Sequence, residues 1–196
     1  MNRKERAAAI RHAIFMSGAR LVSASGYAQA SIAKIAEGAN VAMGTFYIYF
    51  PSQQDFFDQL LLYVGEETLG YFRERISGVA TVEELETKGF RAFVDYMKEN
   101  PGFLRLLDEA EVYAPEAFRI HMDARAKAYM ESLKRTPGIG GAKGFDDDEL
   151  EVVVNILLSA RSRLYTAFQP EDGGEFPEHV IQAYVRFALN GLRGGL

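Results

Sequence analysis

The chain has 196 residues, 48% hydrophobic and 25% charged, a balance that supplies a full core and excludes a disordered chain. It has no cysteine, which excludes disulfides, thiolate zinc sites and cysteine nucleophiles together, and no apolar run approaches the roughly 20 residues that span a bilayer. The net charge of -5 conceals an asymmetry, because residues 1–50 carry six basic side chains against two acids and residues 51–196 carry 16 against 25. A basic segment on an acidic body points to an anionic partner touched at one end.

In chain order, the first segment, Arg3 to Ser25, has Ala7, Ile10, Ile14, Ala19, Leu21 and Val22 mostly at three- and four-residue steps, with Ser25-Gly26 as a stop. It predicts a first helix of about five turns. Its start is broken by charge and holds no uninterrupted apolar stretch, so a cytoplasmic protein without a membrane partner is expected. Ser31 can cap a short second helix over Ile32 to Gly38, and Asn40 suits a tight turn because it tolerates a left-handed backbone. A third short helix is expected over Ala42 to Ile48, stopped before Pro51. There Phe46 and Phe50 can anchor one face, Thr45, Tyr47 and Tyr49 offer hydroxyls, and Gly44 admits close approach by another molecule. Two short helices around a tight turn, behind a longer helix in a basic segment, match the helix-turn-helix arrangement.

Beyond Pro51 the caps are regular. Ser52 with Asp55, Thr81 with Glu84 and Asp146 with Glu149 each resemble a capping box, and Pro101, Pro115 and Pro177 stand where a first helical turn needs no amide. Helices are predicted at about 53–76, 82–99, 101–112, 115–135, 147–168 and 177–193, with loops at 136–144 and 169–175. The fold class is all-α: a three-helix head followed by a larger helical body, about nine helices in total.

In the body, Val153, Leu157, Ala160 and Leu164, then Val180, Tyr184, Phe187 and Gly191, form apolar seams on the last two helices. They can pair with a second copy as a four-helix interface or face the subunit's own core. Bulky side chains fill the stretch between, and most must be core; a cavity for an apolar effector there would draw on Phe93, Tyr96, Asp108, Glu111, Tyr113 and His121. The three histidines have no metal-ligand spacing, and the glycines of 138–144 follow no strand and lack the lysine-serine ending of a phosphate loop. No metal, no cofactor and no catalytic constellation are expected.

Ala13-Ile14-Phe15, Gly18, Gly26-Tyr27, Ser31 to Glu37, Ala39, Val41, Gly44-Thr45-Phe46-Tyr47 and Tyr49-Phe50 resemble, in order and spacing, the N-terminal pattern of the TetR family of transcriptional regulators. The resemblance implies a homodimer whose residues 1–50 read a double-stranded DNA operator and whose residues 51–196 bind a small-molecule effector and dimerise. By position, Ala42 to Ile48 becomes the recognition helix, with Met43, Gly44 and Thr45 near base edges and Tyr47 on a phosphate. Ser31 and Lys34 would hold the DNA backbone, Arg3, Lys4 and Arg6 would add phosphate or minor-groove contacts, and Tyr49 is either a contact or a packed ring with its hydroxyl at the rim. Three departures stand out: Asn40 in place of the usual turn glycine, Ala42 in place of a hydroxyl cap, and Gln53 in place of a lysine that brings charge to a phosphate. They imply weaker or more salt-tolerant DNA binding than in a typical member of that family. The expected function is a ligand-responsive repressor on a palindromic operator; the alternative is an all-helical interaction or ligand-binding module without specific DNA recognition.

Overall fold

The computed structural model describes residues 2–136, 145–171 and 173–192, without the side chain of Leu192. Most of the expected loop at 136–144 therefore lies outside the described residues. Those residues form nine helices and no strand: α1 (Arg3–Ser25), α2 (Ile32–Gly38), α3 (Met43–Tyr49), α4 (Gln53–Arg75), α5 (Val82–Glu99), α6 (Phe103–Tyr113), α7 (Pro115–Arg135), α8 (Asp147–Phe168) and α9 (Glu178–Leu192). A single 3-10 turn, Tyr27–Gln29, follows α1. Among the described residues no helix is long and apolar enough to cross a membrane.

The starts follow from side chains that satisfy orphan amides. Asn2 and Glu5 form a reciprocal capping box on α1, and Asp146 with Glu149 forms another on α8. Ser52 accepts from the Asp55 amide and Thr81 from the Glu84 amide, at 3.0 and 3.1 Å. The start of α6 departs from the sequence expectation. Pro101 stays outside it, and Gly102, at φ +87°, turns the chain into Phe103. A Cβ on Gly102 would lie 2.2 Å from the Ser23 carbonyl oxygen, so both the backbone angle and the close approach require glycine.

Two compact units result. The first joins residues 2–67 to 100–122, so α6 and the start of α7 return to the N-terminal helices. Its centre is aromatic: Phe15, Phe46, Phe50 and Phe56 are essentially inaccessible, and Phe50 meets Phe15 and Phe56 edge-on with ring centroids 5.1 and 5.0 Å apart. The Phe56 ring occupies the space a Cβ on Gly18 would take, which explains a helical glycine that costs α1 propensity.

The second unit, residues 68–99 and 123–192, packs α5 against α8 and α9. Inside it lie Glu86 and Arg161. The Arg161 guanidinium donates to Glu86 Oε2 at 2.7 Å, to Tyr184 Oη at 2.9 Å and to Tyr129 Oη at 2.9 Å, and both phenols donate to the Glu86 carboxylate. Burial works against the guanidinium, but the two phenols and Glu86 outweigh it and hold Arg161 protonated.

This network revises the expected seams. Leu157, Val180 and Tyr184 point into the unit's own core, and Val153, Ala160 and Leu164 are half-buried. Of the eight seam residues only Phe187, 64% accessible, and Gly191 are exposed. Both faces of α8 are apolar, and a four-three period cannot say which turns inward. The inward stripe is Leu150, Val154, Leu157 and Arg161, whereas Val152 and Ile156 are exposed.

Candidate nucleic-acid interface

The site grows from α2, its turn and α3. Ser31 caps α2, its hydroxyl accepting from the Lys34 amide at 3.4 Å. At the other end the Asn40 amide donates to Glu37 and that of Val41 to Ala36, while Asn40 takes φ 55°. The left-handed turn residue is thus an asparagine, which tolerates that angle. The Ser17 hydroxyl ties α1 to the Ile35 carbonyl at 2.8 Å, fixing α2 on the longer helix.

Ala42 stands at the N-cap of α3 with extended backbone, φ -66° and ψ 148°, and no side-chain hydrogen bond. The helix therefore begins at Met43, one residue later than expected, and lacks the capping partner that a hydroxyl would supply. Ala42→Ser is expected to raise stability by about 1 kcal/mol, read as a higher urea midpoint at unchanged slope.

Phe46 is the inward anchor of α3, in ring contact with Phe50 and Phe56. With that residue inside, helical geometry turns Met43, Gly44, Tyr47 and Ile48 outward, all exposed. A Cβ on Gly44 would meet nothing within 4 Å. Thr45 and Tyr49 are half-buried on the flanks. Ser31, Lys34 and Ala42 are exposed on the neighbouring segment, and the Lys34 ammonium rests on the Gln29 carbonyl at 3.2 Å. Gln53 is engaged within the fold, its side-chain amide donating to the Ala30 carbonyl at 2.9 Å. Arg3 and Lys4 are exposed in the first turn of α1, so they are held on a helix and form no extended arm.

A clamp that sequence reasoning missed holds this head from behind. The Glu109 carboxylate of α6 accepts from the Tyr27 amide at 2.8 Å, and Arg105 donates to the Ala24 carbonyl at 2.6 Å. Tyr113 stacks on Tyr27 at 5.4 Å and 7°, and its carbonyl accepts from Gln54 at 2.8 Å. Burial, then the Glu109 and Asp58 charges, push the Tyr27 hydroxyl upward, so it stays neutral. No local pattern announces Glu109, because its partner is an amide 82 positions away.

The six effector candidates divide. Asp108 and Glu111 are exposed on α6, Tyr113 lies in the clamp, and His121 is buried in the first unit. Desolvation, then the Glu111 carboxylate, raises the Asp108 carboxyl. Phe93 and Tyr96 belong to the second unit, Phe93 edge-on to Tyr165 and Tyr96 hydrogen-bonded to Thr68 at 2.9 Å. No group of side chains with metal-holding geometry occurs among the described residues.

Residues 14–60 match the family described as bacterial regulatory proteins, tetR family. The chain is 24% identical to the HTH-type transcriptional regulator EthR of Mycolicibacterium smegmatis over 187 residues, 94% of this chain and 86% of that protein. It is 35% identical to the fatty acid metabolism regulator protein of Bacillus subtilis over 63 residues, 32% of this chain and 30% of that one. Among solved structures, a tetR family transcription regulator from Shewanella sp. PV-4 superposes with a TM-score of 0.74 at 20% identity, covering 93% of this chain and 97% of that one. The transcriptional regulator FadR of Bacillus subtilis, in complex with stearoyl-CoA, does so at 0.68 and 17% identity, covering 94% and 98%. Both share the fold of this chain.

Proposed function

Because the chain belongs, through residues 14–60, to the tetR family of bacterial regulatory proteins, we propose that this transcriptional regulator is a cytoplasmic, ligand-responsive repressor that binds a palindromic operator as a homodimer. It is not an enzyme. Residues 1–50 serve as the DNA-reading head and residues 51–196 as the effector-binding and dimerisation body. The observation that carries this reading is the outward face of α3, anchored by buried Phe46 and flanked by exposed Ser31 and Lys34 on a segment with excess positive charge. Lys34 and Ser31 hold the phosphates, Tyr47 donates its hydroxyl to another, and Met43, Gly44 and Thr45 approach base edges. Gln53, committed to Ala30, adds no charge, which fits a shallower salt dependence.

Two copies join through the surface that α8 and α9 leave uncovered, with Val152, Ile156 and Phe187 as its exposed apolar residues. An apolar effector suits the aromatic interiors, and the fold-similar Bacillus subtilis protein carries stearoyl-CoA. A ligand that engages α6 acts directly on the head, because the same helix holds Tyr27 and the end of α1. Release follows if the effector binds more tightly to an arrangement whose two heads cannot enter the operator together.

Tyr47→Phe removes one hydroxyl from an exposed ring and leaves the core intact. It should weaken duplex binding about 10- to 150-fold, the worth of a hydrogen bond to a charged group, with no change in thermal midpoint. Electrophoretic mobility shift against duplexes captured from genomic fragments checks it; equal affinity of both proteins removes Tyr47 from the contact, and failure to retain any duplex removes the regulator reading.

A further inference from the structure

The outward arc of α3 holds Met43, Tyr47, Gly44 and Ile48, within about 140° around the helix axis. Ile48 is 77% accessible and Met43 53%, large apolar side chains held at the tip of an otherwise basic head. None of the seven residues of α3 carries a charge or a side-chain amide. That absence bears on readout, since guanine is read by arginine or lysine, adenine by asparagine or glutamine, and cytosine by a carboxylate. Thymine differs, because it presents a C5-methyl group that apolar side chains can cover. The cations lie off the arc, on Lys34 and along α1, where the phosphates provide the opposite charge.

We propose that α3 reads its operator chiefly through thymine methyl groups, with Met43 and Ile48 as the apolar probes and Gly44 leaving room for the base edges. The proposal rests on the DNA-regulator reading and adds the chemical class of sequence read: half-sites rich in A·T pairs whose thymines face α3. Burying Met43 and Ile48 against methyl groups also removes two exposed apolar side chains from water.

The test uses the full chain and duplexes selected by it from a random library. Each selected duplex is remade with deoxyuridine in place of thymidine, which deletes only the methyl groups. Affinity should fall about fourfold per contacted thymine, as for one buried methyl-sized group, by a factor that salt leaves nearly unchanged. Ile48→Ser and Met43→Ser, both at exposed positions, should each lose part of the thymine preference, and the double variant should bind thymine and uracil duplexes with nearly equal affinity. Lys34→Ala should weaken both alike and lower the salt slope by about one. Uracil duplexes bound as tightly as thymine duplexes overturn the methyl readout alone, as does a thymine preference that survives undiminished in the double serine variant. No duplex retained even at low salt overturns the regulator reading beneath it.

Discussion

Replacing Phe46 with alanine is expected to abolish specific duplex binding and to destabilise the N-terminal unit by about 3–5 kcal/mol, the range for deleting a fully buried phenylalanine. The ring is wholly inaccessible and touches Phe50 and Phe56 at 5.3 and 5.4 Å between centroids. A helix of seven residues cannot persist on its own propensity, so α3 depends on this side chain for its existence as well as its orientation. Amide hydrogen exchange should show protection lost first across α3, and binding lost with it. Phe46→Leu, which keeps most of the apolar volume, should restore much of both. An alanine variant that keeps wild-type affinity would contradict the anchoring role.

The second large effect concerns the body. Glu86→Ala leaves the Arg161 guanidinium buried without its carboxylate and should cost about 3–5 kcal/mol in urea unfolding. Removing both charges, as Glu86→Leu with Arg161→Met, should cost far less, because two desolvation penalties vanish together with the attraction. The same network carries a pH signature. Burial raises the Tyr184 hydroxyl from 10.0 to about 12, and burial raises that of Tyr129 as well. A phenol whose folded value exceeds its unfolded one contributes stability in full below pH 10, and loses it as pH rises through the folded value. Stability should therefore decline above pH 10, and less so in Tyr184→Phe.

The helices with local signals were legible in the sequence. Ser31 and the Ser25-Gly26 stop mark the ends of α1 and α2 because capping is a matter of three or four neighbouring residues. The start of α6 was not, since Pro101 points to a first turn there and the contact between Gly102 and the Ser23 carbonyl moves it two residues on. The exposed face of α3 follows from Phe46 and Phe50 as its inward anchors. The buried pair had a signal that went unused: Arg161 sits on the stripe of Val154 and Leu157, and Glu86 on that of Leu85, Gly89 and Phe90, charges where the period calls for apolar residues. Tyr184 lies on a seam that the sequence leaves open between a second copy and the subunit's own core, because periodicity records that a face is covered and not what covers it.

The return of α6 to the N-terminal helices bears on how such a head can be transplanted. A cassette cut at residue 50 would leave behind Phe56, the ring that fills the groove at Gly18, together with Arg105 and Glu109, which close the end of α1 and the turn at Tyr27. The segment proposed to read DNA and the unit that folds thus have different borders. An exchange of specificity between this chain and another is best confined to the four outward residues of α3, where nothing inside has to be rematched.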